Sequence, residues 1–136
     1  MAGITAYPAV EATVQGAFGW DQSFEAAANI LAGQVVKINS SGKIEVATTP
    51  ATDKIAGVAL YDIPSGSIGA VRVGGVTVCA NGDASTAITA GAAVSAGTLG
   101  GVVATSTGTL LGIALEPIAG GATGKVLVSI GYNSTA

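Results

Sequence analysis

An all-β fold, a small β-barrel or sandwich built from two duplicated half-units with an extended N-terminal arm, is predicted for this 136-residue chain by three observations. The first is that the chain says the same thing twice. Ala32-Gly33-Gln34-Val35-Val36, Ile55-Ala56-Gly57-Val58-Ala59-Leu60 and Gly69-Ala70-Val71-Arg72-Val73 return in the same order. Their counterparts are Ala90-Gly91-Ala92-Ala93-Val94, Leu111-Gly112-Ile113-Ala114-Leu115 and Gly124-Lys125-Val126-Leu127-Val128. Gly57 and Gly69 are spaced as Gly112 and Gly124 are, which argues for an internal repeat more strongly than shared composition would. The second is that apolar residues come in alternating runs of about four to seven, bounded by Gly, Ser and Asn, as half-buried strands do. The third is glycine itself: 21 residues, without a three-residue period, read as many tight turns rather than collagen.

Taken in order, residues 1–31 form the expected arm, and residues 32–136 a single β domain with half-repeats over about 32–80 and 90–131. The arm holds Tyr7, Phe18, Trp20 and Phe24, most of the aromatic residues of the chain, outside the repeated words. Large aromatic side chains carry much of the burial energy at contacts, so this segment packs on something. Either it folds back over its own barrel, or it reaches a neighbouring subunit or partner. Residues 23–29, Ser-Phe-Glu-Ala-Ala-Ala-Asn, favour a short helical turn on Ala and Glu propensity.

The body then reads as strands. Val35-Val36-Lys37-Ile38, the turn Asn39-Ser40-Ser41-Gly42 and Lys43-Ile44-Glu45-Val46 make a hairpin. Residues 48–53 are a polar link containing Pro50, which has no N–H for a ladder. Residues 55–61 are the next strand, in which Gly57 marks a bulge or a close backbone approach. After a turn over residues 62–67, Ala70-Val71-Arg72-Val73 and Val76-Thr77-Val78-Cys79 are expected as two short strands around Gly74-Gly75. Asn81-Gly82 is a turn dipeptide that ends the first half. The second half repeats this pattern with no Asp, Glu, Lys or Arg between Ala84 and Leu115. Charges are the usual device that keeps sheets and patches apart, so such a stretch is either buried in an assembly or kept soluble by hydroxyls alone.

Composition argues against several functions. The formal net charge of -3 resides in the N-terminal segment, where residues 1–36 contain Glu11, Asp21 and Glu25 and no Lys or Arg. Nothing resembles a phosphate-binding stripe, which argues against nucleic-acid partners. Gly, Ser and Thr interrupt every apolar run well short of the ~20 residues that cross a bilayer, so no membrane span is expected. The N-terminus shows no Sec-type signal, so synthesis and folding in the cytoplasm is the expectation. With no histidine and a single cysteine, Cys79, the usual metal-ligand sets cannot be assembled, and Cys79 in its alternating run reads as a buried small hydrophobe. A Ser–His base is missing, and a Ser–Lys pair would need Lys37, Lys43, Lys54 or Lys125 buried beside a serine. Glu45, Asp53, Asp62, Asp83 and Glu116 fall in or beside turns or on an alternating strand, where carboxylates are ordinarily solvated. Asn81-Gly82-Asp83 lacks the later acidic ligands of a calcium loop, and no glycine pair opens a phosphate-binding helix. No enzyme activity, cofactor or small-molecule substrate is expected.

In their order and spacing the repeated words resemble the capsid cement, or head decoration, proteins of tailed viruses, over residues 33–130. The resemblance implies a small β-barrel-like structural protein of the virion, on the outside of an assembled capsid. Its partner would be the major capsid protein, and its usual state a homotrimer that ties neighbouring capsomers together. No catalytic residue comes with the family. Tyr7, Phe18, Trp20 and Phe24 are then candidate capsid or subunit contacts, because an extended arm can add a strand to a sheet while its aromatics anchor it. The alternative is a self-assembling fibre or surface-layer subunit, which the Ser, Thr and Gly richness also fits. A carbohydrate-binding sandwich would show several aromatics on a sheet face, whereas the repeated body holds only Tyr61 and Tyr132.

Overall fold

The computed structural model describes residues 3–12, 19–105 and 107–133, residues 132 and 133 by their backbone alone. The described residues form nine strands: β1 (Gly19–Glu25), β2 (Val35–Ile38), β3 (Ile44–Val46), β4 (Ile55–Ala59), β5 (Ile68–Ala80), β6 (Ala93–Ala96), β7 (Val102–Ala104), β8 (Gly108–Ala114) and β9 (Thr123–Asn133). A single 3₁₀ turn covers Thr98–Gly100, and no α-helix occurs among the described residues. The strands run in the order β3-β2-β4-β5-β9-β8-β6-β7 with β1 attached to β5, as one strongly curled half-barrel sheet.

β5 is the spine. Two short strands were expected around Gly74-Gly75, but the chain stays extended through both glycines for thirteen residues. The reason is pairing on both edges. β1 and β4 both pair with Val71 and Arg72, and so must lie on opposite sides. β1 and β9 both pair with Gly74 and Gly75, so β4 and β9 share one edge, end to end. Pairing of this kind keeps the strand continuous, and the freedom of the Gly-Gly step is used within the ladder, where β1 skips Val73 and Gly75 takes a φ of 110°.

The helical turn expected over residues 23–29 does not form. Ser23, Phe24 and Glu25 pair with Ala70, Gly69 and Ile68, and Ala26 then bridges Ile44. A single turn of helix is marginal in water, and ladder pairing with β5 outcompetes it. Residues 3–12 continue along the same edge of β5. Gly3 bridges Asp83, and the Ala12 carbonyl accepts from the Val78 N–H (3.2 Å) and the Thr77 hydroxyl (2.7 Å). The described parts of the N-terminal segment therefore lie back along their own body, with Ala26 and Ile30 fully buried in the core.

The two halves carry matching contacts. A parallel bridge curls each half on itself, Ala26 to Ile44 in one and Asn81 to Val102 in the other. Ile30 bridges Ile63 as Ile88 bridges Ile118. The Gly33 N–H donates to the Ala59 carbonyl as Gly91 does to Ala114, both at 2.7 Å. Inside the first half lie Ile30, Val36, Ile44, Ala59, Ile63 and Val71. Their counterparts in the second are Ile88, Val94, Val102, Ala114, Ile118 and Val126, which share a larger core with Val35, Ile55 and Val58 from the first half. Each large aliphatic so buried contributes about 1.5–3 kcal/mol.

The repeated glycines have a steric cause. A Cβ on Gly57 would lie 2.1 Å from the Arg72 carbonyl oxygen, and one on Gly112 would lie 1.8 Å from that of Leu127. Both sit where strand register shifts, between Val36 and Lys37 on β2 and between Leu110 and Gly112 on β8. Gly69 and Gly124 leave room for Ile63 and Ile118, whose side chains would stand 2.5 and 2.6 Å from an added Cβ. The spacing shared by the halves is thus that of a bulge glycine followed by a glycine under an isoleucine.

The polar link over residues 48–53 is closed by Asp53. Its carboxylate accepts from the Thr48 and Thr49 N–H groups (3.0 Å each) and from Lys37 Nζ (3.2 Å). Burial works to raise this carboxyl, and the hydrogen bonds from Thr48, Thr49 and Lys37 outweigh it, holding it below the usual carboxylate range. The link in turn ties the halves together, because the Pro50 carbonyl accepts from the Thr109 N–H at 3.0 Å.

Gly57→Ala and Gly112→Ala should each cost about 2–4 kcal/mol in chemical denaturation. Gly131→Ala, with open space around its Cα, should change stability by less than about 0.5 kcal/mol. Because the Asp53 pKa is depressed on folding, its contribution is present above the unfolded value of about 3.9 and disappears as pH falls through the folded value. The stability gap between wild type and Asp53→Asn should accordingly narrow in denaturation curves taken at successively lower pH below about 4.

Candidate contact surface

Two kinds of surface could carry function here: polar side chains able to do chemistry, and apolar ones left uncovered. The polar groups are engaged locally. Glu45 accepts from Asn39 Nδ2, Asp62 from the Ala32 N–H, and Glu116 from the Lys125 N–H. Asp83 Oδ1 accepts from the Ser85 N–H (2.9 Å), the Ser85 hydroxyl (3.1 Å) and the Thr86 N–H (3.3 Å), and this set, led by the Ser85 amide, lowers its pKa. Lys43 pairs with Glu25 at 2.9 Å. Cys79 is fully buried, and burial pushes its thiol up to about 12, outside the range of a reactive thiolate. No group of His, Cys, Asp and Glu suited to a metal ion occurs among the described residues.

The candidate contact residues are placed very differently. Tyr7 is turned inward: its hydroxyl donates to the Gly33 carbonyl (2.5 Å) and accepts from the Ala80 N–H (3.3 Å). Burial, then the neighbouring Cys79, push the phenol above its ordinary pKa against the Ala80 hydrogen bond. Phe24 packs against the core of the first half. Phe18 lies outside the described residues. Trp20 is 78% exposed.

The position of Trp20 follows from the strand beneath it. Trp20 pairs with Gly74, and its ring edge would stand 2.8 Å from a Cβ at that glycine, so the indole lies across bare backbone. The register shifts immediately afterwards, and Asp21 meets Arg72 instead. Arg72 is nearly buried, bound to both Asp21 carboxylate oxygens (2.9 and 3.3 Å) and to the Val76 carbonyl (2.8 Å). This pair locks β1 onto β5 and thereby fixes the tryptophan. Beside it runs a groove of about 640 Å³ lined by Trp20, Val73, Leu127 and Ile130 with the glycines between them.

The charge-free stretch between Ala84 and Leu115 adds the exposed apolar residues Leu99, Ile113 and Leu115, and Ile130 lies beyond it on β9. Ile113 stands directly across from Leu127 on one side and Ala93 on the other. The lack of Asp, Glu, Lys and Arg between Ala84 and Leu115 was the signal for this face, although alternation alone did not say which residues it would contain.

Comparison with known proteins agrees with this architecture. A family model described as phage cement protein matches residues 15–130. The match takes in β1, which the resemblance over residues 33–130 left out. No curated protein matches. Among solved structures, the head fiber gp8.5 N base of bacteriophage phi29 shares the fold with a TM-score of 0.61. Identity is 20%, over 82% of this chain and 95% of that one.

The two inward aromatics should behave as parts of the fold. Tyr7→Phe, which deprives the Gly33 carbonyl of its donor, should cost about 1–2 kcal/mol in denaturant titrations. Trp20→Ser should leave the denaturation midpoint close to wild type, because most of the ring is in water.

Proposed function

Because the chain belongs to the phage cement protein family, a capsid-associated structural family, we propose that it binds the outer surface of an assembled capsid and reinforces it. The observation that carries this reading is the family match over residues 15–130, which takes in every strand but the last three residues of β9. The partner is the major capsid protein, and the protein acts as a homotrimer that bridges capsomers. Trp20 is the side chain proposed for the contact, with Phe18 beside it in sequence as a second anchor. An exposed tryptophan held over a glycine is rigid and amphipathic, the type of side chain that dominates binding energy at interfaces.

Such a role needs modest contacts in many copies rather than a deep pocket. Joining three copies turns the second and third contacts into intramolecular events, and avidity then exceeds any single affinity. The sparse charge of the body suits this, since little has to be desolvated when apolar surface is covered.

Shells assembled without the protein, mixed with purified protein and sedimented, provide the test. Saturable co-sedimentation and higher resistance of the shells to heating are expected. Trp20→Ser should weaken occupancy about tenfold or more, as loss of a buried aromatic anchor does. Free protein that grows into open filaments or sheets and ignores shells would instead identify a fibre or surface-layer subunit.

A further inference from the structure

The matching contacts of the two halves make it possible to ask what covers each equivalent face. In the first half, the outward residues of β2 and β4 are Val35 and Val58, which pair with one another across the ladder and are fully buried. They join Leu111 and Val128 in the larger core, so the second half is what covers them. In the second half the equivalent pair is Ala93 and Ile113, also cross-strand partners. Nothing in the chain's described residues covers these. Ile113 is 39% exposed and Ala93 and Leu127 are half-buried.

The converse holds for the surface that does the covering. Leu111 and Val128 of the second half are buried beneath the first half. Their equivalents in the first half, Ala56 and Val73, are half-buried at the margin of its core. Each half therefore has one face that the other half satisfies, and one that is left over. The two leftover faces are the counterparts of the two that already fit each other.

We infer that the Ala93–Ile113–Leu127 face binds a second copy of this chain, through the Ala56–Val73 surface of that copy's first half. The contact repeats between molecules what β2 and β4 already make within one. It is heterologous, front half to back half, so it closes into a ring when the rotation allows and otherwise continues as an open array. The occupant is argued from the chain itself: Leu111 and Val128 already cover Val35 and Val58, and Ala56 and Val73 are the residues that stand in the place of Leu111 and Val128 in the other half. The absence of charges between Ala84 and Leu115 is consistent with a face that is covered in the working assembly. The inference deepens the reading of the protein as an assembling capsid component and rests on it.

The test is the mass of the full chain in solution together with directed cross-linking. Wild-type protein should sediment as a discrete oligomer, and Ile113→Asp should sediment as a monomer with an unchanged circular-dichroism spectrum. Should Ile113→Asp misfold, Ala93→Arg supplies the same readout at the neighbouring position. Ile113→Cys mixed with Val73→Cys should form a disulfide-linked dimer under mild oxidation, whereas either alone, or Ile113→Cys with Tyr61→Cys, should not. Cys79 is buried and stays silent in this experiment. A wild-type monomer, an Ile113→Asp oligomer, or equal cross-linking with Tyr61→Cys would overturn the interface. Shell binding separates the two readings: oligomers that form through this face but leave shells bare would sink the capsid reading alone, and monomers that coat shells would sink the interface and the homotrimer while leaving capsid binding in place.

Discussion

Pairing of β5 on both edges at Val71, Arg72, Gly74 and Gly75 is the constraint from which the rest of the architecture follows. Held on both sides there, the strand absorbs a bulge at Val73, which β1 skips, and a positive φ of 110° at Gly75 without breaking, and it passes undivided from one half of the molecule into the other. Its first half closes the curl of β2, β3 and β4 with β1, and its second half starts the curl of β6 to β9. Because β4 and β9 share one edge of it, the two curls are brought end to end, and Val35, Ile55 and Val58 meet Leu111 and Val128. A larger core shared by the two halves then lies beside the first half's own cluster of Ile30, Val36, Ile44, Ala59, Ile63 and Val71.

The N-terminal segment has a place in this scheme that its aromatic content obscures. β1 stands to the first part of β5 as the second part of β5 stands to β9, an antiparallel partner that ends in a parallel bridge to the third strand of its own half. Tyr7 and Phe24 contribute to closing the structure, one through two hydrogen bonds and the other by packing. Trp20 is different because its neighbour is Gly74, over which an indole can lie but into which it cannot sink. The exposure of that ring is therefore a consequence of strand register rather than of a free arm. A side chain held by a salt-bridged strand has less freedom to lose on being covered than one on a loose tail.

Polar chemistry in the molecule is turned to architecture. Asp53, Asp62, Asp83 and Glu116 accept backbone N–H groups of turns or strand ends, the positions where main-chain donors lack ladder partners. What stays free for contact is apolar surface, exposed in both halves at residues such as Trp20, Ile68, Ile113 and Leu115. A fold of this sort offers function through what it leaves uncovered.

The sequence by itself determined the all-β class, most strand positions and the pairing of Gly57 with Gly112 and of Gly69 with Gly124. Those features are written locally, in alternation, turn residues and spacing, and steric exclusion of a Cβ by a neighbouring carbonyl leaves a glycine that can be read without coordinates. Only the tertiary structure decided that Gly74 and Gly75 lie inside one long strand, that residues 23–25 are strand and not helix, and that Tyr7 and Phe24 turn inward while Trp20 turns out. Each of these depends on what lies on the far edge of β5, supplied by residues distant in the chain. Local propensity is worth a few tenths of a kcal/mol per residue, whereas a completed ladder satisfies every buried amide and carbonyl it covers, so pairing prevails wherever the two disagree.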